Sequence, residues 1–342
     1  MTDSRKAWNV GIIGATGAVG RTMIRCLAES GMPVATLRGF ASARSAGLEV
    51  PRQIPPGSVV TIEDLASARL DGLDLVLLSA GADVSRTWVP RAASMGIWAV
   101  DNSSAFRMDP LVPLIVPEVN PEAIPRKRGA IANPNCSTIQ MVVALAPLAR
   151  AFGLRRVHVA TYQSVSGRGQ KGVTQLEAER AGGPGTPGVF PCGIDGNVIP
   201  QCDVLLEDGF SREEEKMIRE TRRILSMPDL PVHPTCVRVP VAVSHGEAVH
   251  VELGRAVTRA ELVAALASAP GVTVQGDPVS EAHPTPRAIA GDNGVHVGRI
   301  RVDRCDPRIA ELWVVSDNLR KGAAWNAVQI ASLLHSQETG DA

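Results

Sequence analysis

Aromatic residues are scarce: Phe, Trp and Tyr make up 3% of the 342 positions, and tyrosine occurs once. A core must therefore be built from Val, Leu, Ile and Ala, and hydrophobic residues at 44% suffice for a sizeable one. Net charge is missing as well. Lys+Arg and Asp+Glu both number 35, which argues against a general nucleic-acid or anionic-membrane binder while leaving room for local basic pockets. No apolar run is long enough to span a bilayer, and Met1 to Asn9 hold no signal-peptide apolar region. The six cysteines, at 26, 136, 192, 202, 236 and 305, contain no C-x-x-C pair. That spacing fits reduced thiols in the cytoplasm better than a disulfide framework or a zinc site, so no metal is expected. Internal repeats and low-complexity tracts are absent, and the length suits two domains or one large one.

The chain is organised around Asn133-Pro134-Asn135-Cys136-Ser137-Thr138, followed at once by an apolar helical pattern. Pro134 biases Asn133 away from the helical region, and Asn135 and Ser137 are good caps. Cys136 is thus expected in the first turn of a helix, where orphan N–H groups and the helix dipole favour a thiolate. A thiolate there is a prepared nucleophile. The alternative is a buried cysteine serving as a small hydrophobe.

Upstream, residues 8–13 read as a buried strand, then Gly14-Ala15-Thr16-Gly17-Ala18-Val19-Gly20, then a helix ending at Gly31. Strand, glycine turn and helix together suit a dinucleotide pyrophosphate. The G-x-x-G-x-x-G spacing is not the usual one, and a tight turn needing glycine is the competing reading. The second strand, residues 33–39, lacks the terminal Asp or Glu that binds a ribose 2′-hydroxyl. Ser42, Arg44 and Ser45 follow instead, a cation flanked by hydroxyls suited to a 2′-phosphate, which predicts NADP rather than NAD; a solvated polar loop is the alternative. Residues 73–79 form another buried strand whose end, Ser79 and Gly81, lines the cofactor crevice, with a helix to about residue 95 and a strand at 97–100. Arg107 lies in a polar loop at the same sheet edge, where an ordinary surface arginine is the default. The repeating order implies a doubly wound parallel sheet, with a last strand at 130–132.

Beyond the Cys136 helix the pattern changes. Residues 156–163 alternate as a half-buried strand, 164–169 read as a flexible turn, a helix reaches about residue 181, and 182–200 read as loop. Ser211 caps a helix that sets Glu213 and Lys216 three apart on one face, by default a solvated ion pair. Residues 236–244 read as a strand carrying Arg238, with His245 at its end and alternation resuming over 248–253. Further expectations are a helix at 258–267, strands at 295–302 and 309–316, and a helix at 322–334 with Ala324, Ala327, Val328, Ala331 and Leu334 on its apolar face. Antiparallel strands with helices on one face make an α+β second domain.

Several runs occur in order: Gly14 to Gly20, Ala41 to Gly47, Asp101 to Arg107, Asn133 to Thr138, Tyr162 to Gly167, Glu213 to Met217, Thr235 to Val241 and Asp317 to Gly322. Together they resemble the aspartate-semialdehyde dehydrogenase family of the bacterial type, nearly end to end. The resemblance implies a Rossmann-type NADP-binding domain at 1–134, completed by a C-terminal helix at 318–342, and an α+β catalytic and dimerisation domain at 135–317. It implies reversible conversion of L-aspartyl 4-phosphate and NADPH to L-aspartate 4-semialdehyde, phosphate and NADP. That step feeds lysine, threonine, methionine and diaminopimelate synthesis.

Carried over by motif, Cys136 is the nucleophile, His245 the acid/base, and Gln163 helps hold the acyl-enzyme. Asn135, Arg107 and Lys216 face the phosphate; Arg238 takes the α-carboxylate and Glu213 the amino group. Gly14, Ala15, Thr16, Gly17, Ala18, Val19, Ser42, Arg44, Ser45, Ser79, Gly81, Ser166, Gly167 and Asn318 bind the cofactor. A homodimer, or a tetramer, is implied. Residues 191–197 depart from the family's pattern, and no role is assigned to them. Reduction of another acyl phosphate or an acyl-CoA, or a silent dinucleotide-binding regulator, are the competing readings.

Overall fold

The structure is a computed structural model that describes residues 6–52, 58–185, 187–276 and 282–340. The chain forms two compact units, Met1–Pro134 with Ala323–Ala342, and Asn135–Gly322. In order, the elements are β1 (Trp8–Ile13), α1 (Ala18–Glu29), β2 (Val34–Ala41), β3 (Glu49–Pro51), β4 (Val59–Asp64), β5 (Leu75–Leu78), α2 (Ala82–Ser94), β6 (Trp98–Asp101) and β7 (Ala130–Ala132). Then come α3 (Cys136–Phe152), β8 (Leu154–Gln163), α4 (Gln170–Arg180), α5 (Arg212–Ile224), β9 (Val232–Arg238), β10 (His245–Leu253), α6 (Arg259–Ala267) and β11 (Val272–Val274). The last are α7 (Pro286–Ile289), β12 (Val295–Val302), β13 (Ile309–Ser316) and α8 (Trp325–Thr339). Among the described residues no helix is long and apolar enough to cross a membrane.

The first unit is a seven-stranded sheet in the order β3-β4-β2-β1-β5-β6-β7. Every pairing is parallel except β3 with β4, which is antiparallel at the edge. The apolar run of β5 is buried on both faces, as a central parallel strand requires. Leu75 and Leu77 join a core with Met23 and Leu27 of α1 and Val328 and Leu334 of α8. Val76 and Leu78 pack on the other side with Trp88 and Val89 of α2. Strand order reverses between β1 and β5, which puts the crevice at their carboxyl ends. There Gly14 adopts φ +89°, and a Cβ on it would lie 2.4 Å from the Ser79 carbonyl oxygen. Gly20 is tighter still: its Cβ would stand 2.1 Å from the Gly14 carbonyl oxygen. The glycines let α1 press directly onto the turn. Neither β3 nor β4 is evident from sequence, because β3 has three residues and β4 is interrupted by Thr61, Glu63 and Asp64.

The second unit is a six-stranded sheet in the order β11-β12-β13-β10-β8-β9. It is mixed rather than antiparallel throughout: β8 with β9 and β11 with β12 run parallel. Helices lie between the two strands of each parallel pair, and a parallel crossover needs such a connection. Helix α3 is buried nearly all round, so its apolar pattern is continuous rather than striped.

Two expectations need correction. The strand expected over 236–244 begins earlier, at Val232, and stops at Arg238. Pro240 cannot donate to a ladder, and Ser244 turns with φ 74°. His245 therefore opens β10 instead of trailing a strand. The chain rejoins the first unit at Ala323, later than residue 318, because Asn318 is bonded to Ser164, Ser166 and Ser244 of the second unit.

Gly20→Ala is expected to cost about 3 kcal/mol of stability, since backbone must move to admit the methyl. Gly31→Ala, at φ +71° with open space around it, should cost only about 1 kcal/mol. Denaturant unfolding of the two variants measures the difference.

Candidate active site

Asn135 is extended (φ −64°, ψ 145°) and caps α3, which begins at Cys136. Its Oδ1 accepts from the amides of Ser137 at 3.0 Å and Thr138 at 3.2 Å. Its own amide donates to Glu220 Oε2 at 2.6 Å and its Nδ2 to Glu213 Oε1 at 2.8 Å. The Asn135 side chain thus holds the helix start and keeps one Nδ2 donor for a ligand. The result is a half-buried thiol at the first helical position, where the dipole favours its ionised form.

The ends of three neighbouring strands face it. Gln163 closes β8, Arg238 closes β9 in direct register with Gln163, and His245 opens β10 one residue before the Gly246–Tyr162 pair. All three are buried on the helix-covered face. Cys136 Sγ lies 3.4 Å from His245 Nε2. Gln163 Nε2 donates to Ser137 Oγ at 2.7 Å, one residue beyond the cysteine. The turn after Gln163, expected to be flexible, is buried at Ser164, Val165 and Ser166.

Hydrogen bonding fixes the histidine's tautomer. The Ser164 amide donates to His245 Nδ1 at 3.0 Å. An N–H cannot accept, so Nδ1 must, and the neutral ring carries its proton on Nε2, against the sulfur. Burial, followed by the positive charge of Arg238, pushes the imidazole down to about 3 against the opposing pull of Glu213. His245 is therefore neutral at pH 7 and serves the sulfur as a hydrogen-bond donor. The backbone of the same residue holds the arginine, since Arg238 Nη1 donates to the Ser164 carbonyl at 2.6 Å. Arg238 Nε and Nη2 have no partner among the described residues.

The Glu213–Lys216 pair is an ion pair, but not a solvated one. Glu213 is buried, and Lys216 Nζ bridges Glu213 Oε2 at 3.1 Å and Asp203 Oδ2 at 2.7 Å. Burial raises the Glu213 carboxyl, yet the Lys216 ammonium, the Asn135 amide and Arg238 outweigh it and hold it at about 2. Asp203 was not found from sequence; it sits in an irregular segment at φ 69°, with no pattern to single it out.

Asn318 Oδ1 accepts from Ser164 Oγ, Ser166 Oγ and the Ser244 amide at 3.1, 3.2 and 2.8 Å. Gly167 is needed for close approach, because a Cβ there would be 2.8 Å from Arg238 Nη1. Gly322 is a site residue that sequence reasoning passed over: its Cβ would lie 2.9 Å from that of Cys136.

The remaining candidates belong to the first unit. Arg107 is buried, not a surface arginine, and donates to the carbonyls of Asn133 at 2.9 Å and Asn102 at 2.7 Å. Gly17 caps α1 without a side-chain bond, which leaves first-turn amides for an anion beside Gly14, Ala15, Thr16, Ala18 and Val19. β2 ends at Ala41, opposite Asp64 of β4, whose carboxylate caps Ala66 at 3.1 Å. Arg44 is exposed, between Ser42 and Ser45, with no ion-pair partner among the described residues. These residues fit a dinucleotide with an added phosphate on its ribose.

Residues 9–127 match the family model described as semialdehyde dehydrogenase, NAD binding domain, and residues 145–321 the one described as semialdehyde dehydrogenase, dimerisation domain. The fold and these matches define a nicotinamide-nucleotide-linked semialdehyde dehydrogenase. An aspartate-semialdehyde dehydrogenase of Aquifex aeolicus is 45% identical over 96% of this chain and 98% of its own. That of Bacillus subtilis is 44% identical over 95% and 97%. The crystal structure of aspartate semialdehyde dehydrogenase II complexed with ASA from Vibrio cholerae superposes with a TM-score of 0.91 at 43% identity, covering 96% and 98%. One with NADP from Candida albicans gives 0.76 at 25% identity, covering 98% and 100%. The chain belongs to the aspartate-semialdehyde dehydrogenase family.

His245→Ala is expected to slow alkylation of Cys136 about tenfold or more at pH 7, since a bond to a charged sulfur is lost. His245→Gln keeps a donor and should alkylate near the wild-type rate. Peptide mapping separates Cys136 from the exposed Cys305. Equal rates in wild type and His245→Ala would rule out this arrangement.

Acid should destabilise the second unit over two overlapping windows, from 6.5 toward 3 and from 4.5 toward 2. The folded His245 value lies below the ordinary 6.5, so stability falls as pH drops below 6.5. Glu213, at about 2 against 4.5, contributes on the order of 3 kcal/mol above pH 4.5 that is lost as pH falls from there toward 2. Urea midpoints against pH should flatten between 6.5 and 4.5 in His245→Gln, and below 4.5 in Glu213→Gln.

Proposed function

We propose that the chain catalyses the reversible reductive dephosphorylation of L-aspartyl 4-phosphate to L-aspartate 4-semialdehyde with NADPH. The step serves lysine, threonine, methionine and diaminopimelate synthesis. The observation that carries the reading is the Cys136 sulfur at the start of α3, 3.4 Å from His245 Nε2. The thiolate pair attacks the acyl carbon, a C–S bond forms, the C–O bond to phosphorus breaks, and phosphate leaves. NADPH, when bound, supplies the hydride that takes the thioester to the aldehyde level. His245 Nε2–H stabilises the sulfur anion both before attack and as it departs. Arg238 offers its remaining donors as a fork to the substrate α-carboxylate. Glu213 provides fixed negative charge for the amino group and, through Asn135, orients the helix that carries the nucleophile.

The glycine turn, with Ser79 and Gly81, takes the pyrophosphate side of NADP, and Ser42, Arg44 and Ser45 the 2′-phosphate. Ser166, Gly167 and Asn318 are assigned to the nicotinamide side. The open face of the six-stranded sheet carries the half-exposed Tyr162 with Trp313 at a ring separation of 5.5 Å, and a second copy is its occupant in a homodimer. None of the six cysteines forms a disulfide, in keeping with a reducing compartment, the cytoplasm.

Phosphate-dependent reduction of NADP with the semialdehyde is the direct assay. Cys136→Ala should abolish it, and undiminished turnover would remove the nucleophile assignment. Arg44→Ala should lower the kcat/KM preference for NADPH over NADH roughly tenfold or more. An unchanged preference would count against the 2′-phosphate pocket.

A further inference from the structure

Away from the strand ends that carry Gln163, Arg238 and His245, the second unit holds a cleft of about 510 Å³. It is lined by Arg259, Gly276, His283, Arg299, Ile300, Arg301, Val302 and Arg304. Its position is set by β12. At one end of that strand Val295 pairs with Ser316, near Asn318; at the other Val302 pairs with Ala310, and the cleft lies toward this second end. The volume falls within the range of small-ligand sites.

The charge balance is one-sided. Among the described residues no carboxylate lines the cleft. Arg301 is neutralised by Glu311 at 2.6 Å. Arg259, Arg299 and Arg304 have no ion-pair partner among the described residues. Nearby acids are committed elsewhere: Asp303 Oδ1 accepts the amides of Cys305 and Asp306, Asp306 pairs with Arg308, and Glu261 with Arg255. Three guanidinium groups around one cleft, none in an ion pair among the described residues, repel each other.

Local geometry maintains that arrangement at a cost. The ladder between β12 and β13 slips between Gly298 and Arg301. Within the slip Arg299 adopts φ 51°, a strained backbone for a residue with a side chain. Arg259 occupies the first position of α6, where the dipole disfavours a cation, and its Nε is tied to the Ile300 carbonyl at 3.1 Å. His283 Nδ1 is buried without a hydrogen-bond partner among the described residues. A cation against a dipole and like charges in close array are both relieved by one thing, an anion with several oxygens.

We infer that this cleft binds a compact, multiply charged anion of the phosphate class, a short polyphosphate or a small bisphosphorylated metabolite, separately from the catalytic centre. Guanidinium forks match phosphate oxygens, and linked phosphates offer enough of them for several arginines at once. The probe is inorganic tripolyphosphate, titrated calorimetrically at low ionic strength into wild type and Arg299→Gln/Arg304→Gln. Wild type should show one more binding site per chain than the double variant, or an affinity at least tenfold higher. Turnover should be the same in both, which also certifies the fold. Arg304→Gln alone, a change in an exposed loop, should weaken binding severalfold. Identical stoichiometry and affinity in wild type and double variant would overturn the inference, as would absence of binding to the wild type.

Discussion

The backbone of one residue, Ser164, sets the chemistry of the second unit. The Ser164 amide donates to His245 Nδ1 and its carbonyl accepts from Arg238 Nη1. The first bond dictates that the imidazole proton sits on Nε2, toward Cys136; the second holds a guanidinium in place with part of its fork unused. Both depend on strand register. Gln163 and Arg238 pair directly in β8 and β9, and His245 follows from the neighbouring β10 pairing. A slip of one residue in either would turn those side chains to the opposite face.

Beneath that arrangement lies a buried chain of charges. Asp203, Lys216 and Glu213 alternate in sign, and Glu213 passes its hold to Asn135. Such groups are a poor source of net stability, because taking them out of water offsets most of their attraction. Removing one member, however, strands the others. What the chain of charges contributes is orientation: α5 and the start of α3 are tied together by directional bonds where apolar packing alone would permit sliding.

Much of the first unit could be read directly. Residues 75–78 are an unbroken apolar run and residues 10–13 a short one leading into Gly14, and burial on both faces of a parallel sheet produces that pattern. Cys136 was legible because Asn135 caps the helix locally, within the span that sequence displays. Other features were not legible, for physical reasons. The break after Arg238 depends on Pro240 and on a turn at Ser244 that is stabilised by distant partners. Asp203 owes its role to a lysine on another element. Gly322 matters only because the fold brings Cys136 against it. β3 is a three-residue edge strand and β4 beside it carries polar interruptions, and β-structure of that kind is specified by its neighbours more than by itself.

Helix α8 carries a consequence for how the molecule is made. Trp98 Nε1 donates to Glu338 at 2.7 Å, and Arg128 Nη2 reaches the same carboxylate at 2.6 Å, while Val328 and Leu334 fill the core beside β1 and β5. All of the partners in that core except this helix are synthesised early. The dinucleotide-binding unit must therefore wait on the ribosome with one flank of its sheet bare until residues 325–339 emerge, whereas the second unit, continuous in sequence, is free to fold beforehand. Order of synthesis and order of completion are reversed, and the early sheet is the part most in need of chaperone cover.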